Sequence, residues 1–412
     1  MGVFGRCNSG KGRGLCVWLW GDNCWLKGTN MKVLIVGGGI AGLTLAGLLQ
    51  RRPGMEIVLV ERAERFEELG GFAIGLYPMG SRVMHGLGVF DEFVKRSREM
   101  KGYEVHDDAG KLVRRFDWEK VGEQYGQTRL IARSELVNVL HGGVGDGVDV
   151  RMGRTVETID EKENMVGVKF DDGVEEVFDL VVGADGLHSK VRQICFKKGE
   201  SFDPEWGGWV WWMDLNEKGK HGDIVENWGR GRFLGFYPTD RRMCIAVFGP
   251  NQEIEIHGDG RKEKVKRYLG GLGAAYEGVM DAFPEDEDEV VYWRLKDCWS
   301  RKWHTKRVVL VGDSGSAVLP TAGAGASMAM ESAAVLADEL LRVDEVCVER
   351  ALMLYEKRRK RQVKKVVDQS RSIAGMMIKT TDWAMRMRFL KMRVLPRRLM
   401  TRMVVKGLRE PI

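Results

Sequence analysis

The hydrophobic pattern is most regular between residues 31 and 62. An apolar run, 33–36, leads into a glycine-rich turn, and an apolar helical pattern then extends to Leu49. A second apolar run, 57–60, follows and ends at Glu61. Short apolar runs separated by one helix are typical of a strand–helix–strand unit with parallel strands. The pattern therefore predicts an α/β fold that begins with such a unit.

Later segments with period-two alternation or continuous apolar character predict further strands, and three segments predict helices. The predicted strands are 102–106, 112–116, 155–159, 166–170, 177–182, several between 206 and 248, and 308–311. The predicted helices are 131–141, 325–343 and a long basic stretch from Val348 onward. Residues 107–110 and 171–173 have the composition of hairpin turns. Buried apolar strands followed by helices therefore lie at both ends of the fold, with a β-rich insertion between them.

The composition is that of an ordinary globular protein, with 44% hydrophobic and 30% charged residues among 412. That length accommodates one large domain or two closely packed ones. No apolar run approaches the roughly 20 residues that a membrane-spanning helix needs. The seven cysteines are an odd number and contain no CxxC pair. Together with histidines that show no ligand-like spacing, they predict a reducing, cytoplasmic compartment and no metal site.

The positive charge of the chain is concentrated in its C-terminal tail. From Arg342 to the end, 20 lysines and arginines stand against 7 acidic residues, a net charge of +13 in a chain of +6. The remainder is therefore acidic, and we expect no nucleic-acid partner. Apolar residues alternate with the basic ones, which allows a peripheral contact with an anionic membrane surface. The alternative is a helix packed on the fold with a solvated basic face.

Residues 1–30 are rich in Gly, Trp and Cys and show no helical or strand period. Met31 stands where a natural start would be expected. The apolar patch Leu15–Trp20 is shorter than the core of a usual signal peptide, and no small-residue cleavage site follows it. We expect residues 1–30 to be a disordered extension or a start-site artefact rather than a targeting segment.

The turn after the first predicted strand is Gly37-x-Gly39-x-x-Gly42, the dinucleotide fingerprint in its required context. Gly37 permits a tight turn, Gly39 lets the backbone approach a pyrophosphate, and Gly42 lets helix and strand pack closely. The helix that follows directs free N–H groups and a positive dipole end toward the phosphates. Glu61 can accept hydrogen bonds from a ribose diol. A glycine-rich turn without a ligand is the alternative interpretation.

Two later motifs and one arginine identify the dinucleotide through a family resemblance. The first motif contains Asp185-Gly186 after an apolar run, and the second is Gly312-Asp313 followed by Gly323-Ala-Gly325. Arg133-Ser-Glu-Leu lies between the fingerprint and the first motif. With these elements in this order, the chain resembles the FAD-dependent aromatic hydroxylases, single-component flavoprotein monooxygenases with the p-hydroxybenzoate hydroxylase fold. The resemblance covers about residues 31 to 345 and does not specify a substrate.

The resemblance implies FAD as the cofactor and a set of residues that bind it. Asp313 would accept from ribityl hydroxyls, Arg133 would bind phosphate or ribityl oxygens, and Arg62 would lie near the adenosine or pyrophosphate. The N-terminus of the helix that begins at Gly325 would stabilise negative charge on the reduced flavin. No catalytic residue identifies itself. The predicted cofactor-binding residues are Gly37, Gly39, Gly42, Glu61, Arg62, Arg133, Asp185, Asp313, Gly325, Ala326 and Ser327.

From the same pattern we expect a Rossmann-like FAD-binding domain with an inserted β-sheet substrate domain and a C-terminal helical tail. The expected bounds are 31–77, 131–196 and 296–345 for the FAD-binding domain, 78–130 and 197–295 for the substrate domain, and 346–412 for the tail. One departure from the family stands out. Its usual Gly-Asp-Ala-Ala-His-Ala is here Gly-Asp-Ser-Gly-Ser-Ala over 312–317, so the histidine is missing. We expect FAD binding to be retained and turnover to be less efficient.

Eight of the 13 tryptophans lie between residues 206 and 303. An aromatic sheet beside a flavin suits a flat or apolar substrate, although such residues also join sheets to helices. The favoured hypothesis is an FAD-dependent monooxygenase that uses NAD(P)H transiently and O₂ to hydroxylate or epoxidise an apolar or aromatic small molecule. One alternative is an FAD-dependent reductase or dehydrogenase on the same fold. The other is a non-enzymatic flavin-binding module associated with a membrane.

Overall fold

The computed structural model describes residues 31–196, 199–215, 223–254, 260–270 and 277–394. The expectation for residues 1–30, and that for the tail beyond residue 394, lie outside these ranges. The strands are β1 Met31–Val36, β2 Met55–Val60, β3 Ala73–Leu76, β4 Arg98–Glu99, β5 Gly102–His106, β6 Leu112–Asp117, β7 Arg129–Ala132, β8 Val148–Arg151, β9 Val156–Glu161, β10 Val166–Phe170, β11 Glu175–Phe178, β12 Leu180–Gly183, β13 Trp206–Asp214, β14 Asp223–Trp228, β15 Phe233–Pro238, β16 Arg242–Pro250, β17 Val291–Arg294, β18 Cys298–Trp299, β19 Val308–Leu310 and β20 Ser316–Ala317.

The helices include the two long elements that the sequence pattern indicates near the C-terminus. They are α1 Ile40–Leu49, α2 Pro78–Leu87, α3 Phe90–Lys95, α4 Glu119–Tyr125, α5 Arg133–His141, α6 Lys190–Cys195, α7 Asn251–Ile254, α8 Arg261–Leu269, α9 Glu277–Asp281, α10 Gly325–Leu340, α11 Val348–Met377 and α12 Asp382–Val394. Within the described ranges, no helix combines the length and the apolar character needed to cross a bilayer.

A five-stranded parallel sheet with the order β19-β12-β1-β2-β8 forms the first layer. Its strands are almost continuously apolar because helices cover one face and the antiparallel sheet β11-β10-β9 covers the other. On the helical face, α1 and α10 pack side by side against the buried side chains of β1 and β12. The predicted α/β class and its Rossmann-like unit are confirmed.

A seven-stranded sheet with the order β17-β13-β16-β15-β14-β5-β6 forms the second large layer. All its neighbours are antiparallel except β14 and β5, which run parallel. The hairpin predicted at residues 107–110 is present, because β5 and β6 pair on either side of it. The second hairpin turn lies between β10 and β11. This sheet is the predicted insertion, assembled from two separate stretches of chain.

The segment 177–182, predicted as one strand, is divided at Asp179. β11 before it belongs to the antiparallel sheet, and β12 after it belongs to the parallel sheet. Asp179 accepts a hydrogen bond from the backbone N–H of Lys32 at 2.7 Å on its side chain and donates its own backbone N–H to the carbonyl of Lys32 at 2.8 Å. The chain thus changes sheets at a residue whose polar groups bind the start of β1. Apolar periodicity alone does not reveal such a change.

The stretch 78–100 was expected to be part of the substrate domain. In the structure, α2 packs against α10 and α1, and its Met79, Val83 and Met84 join the same core as β1. β5 and β6, in contrast, lie in the seven-stranded sheet. The expected boundaries stay a prediction, and the packing places α2 beside the nucleotide-binding elements.

Candidate functional site

A cavity of about 1730 Å³ extends between the carboxyl ends of the parallel strands, one face of the seven-stranded sheet and the tail helices. Its wall includes Gly37 and Gly39 from the fingerprint, Gly325 from the start of α10, and Trp228 from the large sheet. The carboxyl ends of parallel strands are the usual ligand-binding edge of an α/β sheet. One continuous space therefore joins the predicted cofactor site to the aromatic sheet.

The three fingerprint glycines occupy the places that their predicted roles require. Gly37 has a left-handed φ of +111°, and a Cβ there would lie 2.5 Å from the carbonyl oxygen of Ala184. A Cβ on Gly42 would lie 1.9 Å from the carbonyl oxygen of Gly37, so this glycine allows α1 to approach the turn. Gly39 borders the cavity, with no atom within 4 Å of the position of its missing Cβ. The open side of the turn is at Gly39, where a ligand can approach the backbone.

The N-termini of α1 and α10 both open on the cavity. Gly39 and Ala324 are their N-cap residues, and neither residue supplies a side-chain hydrogen bond that caps its helix. The first N–H groups of a helix lack partners within the helix, so they are available to oxygen atoms of a bound anion. Gly325 and Ala326 also line the cavity. Two helix dipoles therefore direct their positive ends into the same space.

Ser327 lies behind this wall. It is fully buried, and its hydroxyl accepts a hydrogen bond from the backbone N–H of Tyr77 at 2.9 Å. Its side chain thus joins the start of α10 to the segment that enters α2. In the predicted set, a contact of Ser327 with the flavin would involve its backbone.

Glu61 is buried at the end of β2, and both carboxylate oxygens already accept backbone hydrogen bonds. Oε2 accepts from Gly38 at 2.7 Å, and Oε1 accepts from Ala63 at 3.0 Å. The carboxylate still lines the cavity, and a carboxylate has about four acceptor positions, so two remain for a ribose diol. Arg62 lines the same region with an exposed side chain. Glu61 therefore both orders the glycine turn and faces the space for a ligand.

Asp185 caps the helix that follows β12. Its Oδ2 accepts from the backbone N–H groups of Lys190 at 2.7 Å and Val191 at 3.1 Å. Its Oδ1 is buried and has no hydrogen-bond partner. Burial raises the pKa of this carboxyl, against the effect of the N–H groups that bind it. An unpaired buried acceptor beside a cavity is the kind of group that a bound ligand satisfies.

Arg133 and Asp313 both line the cavity, and each shifts the pKa of the other through the attraction of their opposite charges. Arg133 donates to the carbonyl oxygen of Gly70 at 3.1 Å, and burial lowers the pKa of its guanidinium, whereas Asp313 and Glu61 act to raise it. The Asp313 side chain is exposed, but the surface it exposes belongs to the cavity wall. The surrounding protein desolvates it and raises its pKa to about 6, with Arg133 opposing the shift. The structure thus brings the Arg-x-x-Leu arginine and the second motif to one place.

The missing histidine of the second motif leaves two serines with different environments. Ser314 is buried, and its hydroxyl binds the backbone of Val311 and the carbonyl oxygen of Gly183, which joins the ends of β19 and β12. The hydroxyl of Ser316, which occupies the histidine position, is buried and has no hydrogen-bond partner. The strand ends are therefore joined without the histidine.

These residues fit FAD on the features that the structure shows. The turn leaves Gly39 open, two uncapped helix N-termini supply N–H donors, and the unpaired Oδ1 of Asp185 supplies an acceptor. Arg133 and Asp313 add a cation and a hydroxyl acceptor farther along the same cavity. Among the described residues, no group of three or more His, Cys, Asp or Glu side chains is arranged to hold a metal ion.

One face of the large sheet forms a wall of the cavity, and only some of the tryptophans expected there contribute to it. Of the eight clustered tryptophans, Trp212, Trp228 and Trp293 line the cavity. The other five, Trp206, Trp209, Trp211, Trp299 and Trp303, are buried in hydrophobic clusters. Five of the eight tryptophans therefore pack in the interior of the fold, and three lie where a ligand could contact them.

Glu226 is the main residue of this wall that the sequence analysis missed. It is 9% exposed on β14, an interior strand of the sheet, and lines the cavity. Tyr103 and Tyr237 direct their hydroxyls to it. The available signal was a carboxylate at an inward position of an otherwise apolar alternation, between Ile224 and Trp228.

The tail helices form the remaining side. Arg388 of α12 is 6% exposed, and its guanidinium donates to the carbonyl oxygens of Met376 and Met377 at 3.1 and 3.2 Å and of Trp228 at 2.5 Å. Burial lowers its pKa to about 10, so it stays charged at neutral pH. α12 is thereby attached to the end of β14 and covers part of the cavity.

Comparison with known proteins agrees with this geometry. The family model described as FAD binding domain matches residues 30–370. Aurachin C monooxygenase/isomerase of Stigmatella aurantiaca is 30% identical over 317 residues, 75% of this chain and 80% of the relative. The 3-amino-4-hydroxybenzoate 2-monooxygenase of Streptomyces cremeus is 30% identical over 319 residues, 74% of this chain and 78% of the relative. The structure of P. aeruginosa PqsL in complex with 2-aminobenzoylacetate aligns with a TM-score of 0.75 at 27% identity, over 88% of this chain and 99% of that one.

Proposed function

Because the chain belongs to the FAD-dependent flavoprotein monooxygenases of the aromatic hydroxylase type, we propose that it inserts one atom of O₂ into a flat aromatic or conjugated small molecule. NAD(P)H supplies the two electrons, and the second oxygen atom leaves as water. The observation that carries the proposal is the single cavity that joins the FAD cradle to the aromatic face of the large sheet. One relative named above is a 3-amino-4-hydroxybenzoate 2-monooxygenase, and PqsL was crystallised with 2-aminobenzoylacetate, so both are connected with amino-substituted aromatic rings.

FAD, when bound, supplies the chemistry of O₂ activation, and the protein supplies position and surroundings. Glu61 and Arg62 hold the adenosine end, the N-terminus of α1 holds the pyrophosphate, and Arg133 with Asp313 holds the ribityl stretch. The unpaired Oδ1 of Asp185 accepts a hydrogen bond from a hydroxyl group of the cofactor. The N-terminus of α10 stabilises negative charge at the ring system. The sheet wall orients the substrate, and α11 and α12 exclude water.

The decisive experiment is mass spectrometry of aromatic substrates after incubation with the purified protein, NAD(P)H and ¹⁸O₂. The proposal expects FAD to copurify and one ¹⁸O atom to enter the product. Turnover that continues without O₂ would instead identify an FAD-dependent reductase or dehydrogenase. If the protein binds FAD but oxidises NAD(P)H with none of the aromatic compounds or polyenes tested, it is a non-enzymatic module.

A second proposal concerns the tail and a peripheral membrane contact. Trp383, Leu390 and Val394 are 74%, 52% and 71% exposed, and α12 also carries Arg386 and Lys391. Apolar side chains beside basic ones favour an anionic lipid surface. Sedimentation with phosphatidylserine vesicles tests this. The contact is supported if the wild-type protein sediments with the vesicles and the Trp383→Ser/Leu390→Ser double variant does not. It is refuted if the same fraction of wild-type protein sediments with and without vesicles.

A further inference from the structure

Glu226 lies on an interior strand of the seven-stranded sheet, β14, on the face that forms the cavity wall. Its neighbours on this face are Ile224 and Trp228 along β14, Val105 on β5, and Gly235 on β15. Among the described residues of this sheet that line the cavity, Glu226 alone carries a charged side chain. A carboxylate in such an apolar position is costly unless its oxygens are satisfied.

Three neutral donors bind the carboxylate. Tyr103 and the indole of Trp228 donate to Oε2 at 2.5 and 2.8 Å, and Tyr237 donates to Oε1 at 2.9 Å. Because a carboxylate has about four acceptor positions, these bonds leave one, on Oε1. Burial raises the pKa of Glu226, and the three donors act against that shift. The donors are uncharged, so they leave the negative charge of the ionised group without a neutralising partner.

The fold makes room for this arrangement at Gly235. A Cβ there would lie 2.6 Å from the ring of Tyr237, whose hydroxyl reaches Glu226 over that position. Gly235 also pairs directly with Glu226 across β14 and β15. The close approach of Tyr237 to Glu226 therefore depends on a glycine at this site.

Three further aromatic donors that line the cavity are also used within the protein. Tyr77 donates to the carbonyl oxygen of Ala322 at 3.2 Å, Trp118 to the hydroxyl of Thr128 at 3.0 Å, and Trp212 to the carbonyl oxygen of Gly71 at 3.0 Å. Tyr103 and Tyr237 each donate their only O–H group to Glu226, so their hydroxyl oxygens can only accept a hydrogen bond from a ligand. This end of the cavity presents aromatic faces and acceptors.

We propose that Glu226 determines substrate specificity by accepting a hydrogen bond from an N–H or O–H group on the ring of the substrate. The proposal rests on the proposed function and narrows its substrate class to flat rings that carry such a donor. The aromatic faces hold the ring, and the free position on Oε1 selects its orientation. Tyr77 lies between this acceptor and the start of α10, because it packs against the same hydrophobic cluster as Tyr103 and Tyr237 and its ring lies near Gly323.

The test measures ring binding to the FAD-loaded protein without NAD(P)H, from the change in the visible spectrum of the bound flavin. The probes are three pairs that differ only in a donor: indole and 1-methylindole, 2-naphthol and 2-methoxynaphthalene, and 2-aminonaphthalene and its N,N-dimethyl form. In at least one pair, we expect the donor-bearing ring to bind about tenfold or more tightly, as for a hydrogen bond to a charged acceptor. Glu226→Gln should reduce that ratio to about threefold or less.

Glu289→Gln is the matched control, because Glu289 is an exposed carboxylate at the cavity rim, outside the sheet, and should leave the ratio unchanged. If Glu226→Gln loses its FAD, Glu226→Asp shortens the side chain while keeping its charge, and the same loss of preference is expected. Equal binding within all three pairs, no binding of any ring, or an unchanged ratio in the Glu226 variants overturns the proposal. Absence of oxygenation with the donor preference intact would refute the proposed function alone.

Discussion

At the scale of single residues, we expect Asp313 to have opposing effects on folding and on cofactor binding. Desolvation by the surrounding protein raises the pKa of its carboxyl from 3.8 to about 6, although the side chain borders the open cavity. Ionisation therefore favours the unfolded chain, so its contribution to stability is fully present below about pH 4 and is lost as the pH rises through 6. A carboxylate placed where ionisation costs stability is typical of a binding site.

Asp313→Asn separates the two effects. We expect the apo-variant to be more stable than wild type above pH 7 and the two to converge below pH 4, measured by urea denaturation at several pH values. FAD affinity should fall by roughly ten- to hundredfold, since a hydrogen bond to a charged acceptor contributes about 1.5–3 kcal/mol. Unchanged FAD affinity would show that Asp313 does not bind the cofactor.

Arg133 is the second residue whose role a substitution can decide. Arg133→Ala should weaken FAD binding by roughly ten- to hundredfold. Arg133→Lys should recover only part of the loss, because lysine keeps the charge but lacks the planar fork of the guanidinium. Titration of apo-protein with FAD measures both. If Arg133→Ala unfolds more easily but binds FAD normally, the bond to Gly70 is its whole function.

At the scale of elements, a buried ion pair joins α11 to α10. Arg359 and Glu331 are 1% and 0% exposed, and a guanidinium nitrogen of Arg359 lies 2.8 Å from Oε2 of Glu331. Arg359 also donates a hydrogen bond to the side-chain oxygen of Gln362, which lines the cavity. Removal of one partner from a buried pair leaves an uncompensated charge, whereas apolar replacement of both is often neutral. The tail helix is thus fixed to the helix whose N-terminus opens on the cavity.

Arg359→Met alone should lower the free energy of unfolding by roughly 3–5 kcal/mol, and Glu331→Leu by a similar amount. The double variant should lose less than either single variant, because no isolated charge remains. Denaturant unfolding of the four proteins completes the cycle. Additive losses would mean that the two side chains do not interact.

Elements with a strong local pattern could be predicted, and those set by distant contacts could not. The β1–α1–β2 unit follows from apolar runs and three glycines, and α10 follows from its helical periodicity. The division of segment 177–182 at Asp179 required knowledge of Lys32, which lies in another part of the chain. Predicted helix 131–141 begins as strand β7, because residues 129–132 pair with β3. The motif residues could be predicted and lie together at the cavity. The environment of Glu226 could not be predicted, because two of its hydrogen-bond donors lie on β5 and β15.

At the scale of the whole molecule, the tail completes the cavity that the two sheets leave open. The sequence left two interpretations of the basic tail, a membrane contact and a helix packed on the fold. In the structure, α12 is attached to β14 through Arg388 and lines the cavity with Met387 and Met392. Sequence reasoning could identify its helical and basic character. It could not locate its inner face, because Arg388 is buried among backbone carbonyls while Arg386, two residues earlier, is exposed.

Arg388→Ala should detach α12 from the end of β14 and let water reach the substrate side of the cavity. The carbonyl oxygens of Met376, Met377 and Trp228 would lose their donor, so we also expect stability to fall by about 1–3 kcal/mol. FAD content should be unchanged, because the cradle is built from other elements. A cavity open to water promotes side reactions of the reduced cofactor. The yield of hydrogen peroxide per NAD(P)H oxidised should therefore rise while ring binding weakens.

Arg386→Ala is the matched control, since it removes the same charge from the same helix without a buried contact. It should leave both the peroxide yield and ring affinity at wild-type values. If the two variants behave alike, the charge of the tail matters and its closure of the cavity does not. If Arg388→Ala also loses FAD, α12 supports the cofactor site itself. Only a rise in peroxide confined to Arg388→Ala, with full FAD content, assigns the tail to the exclusion of water from the reaction.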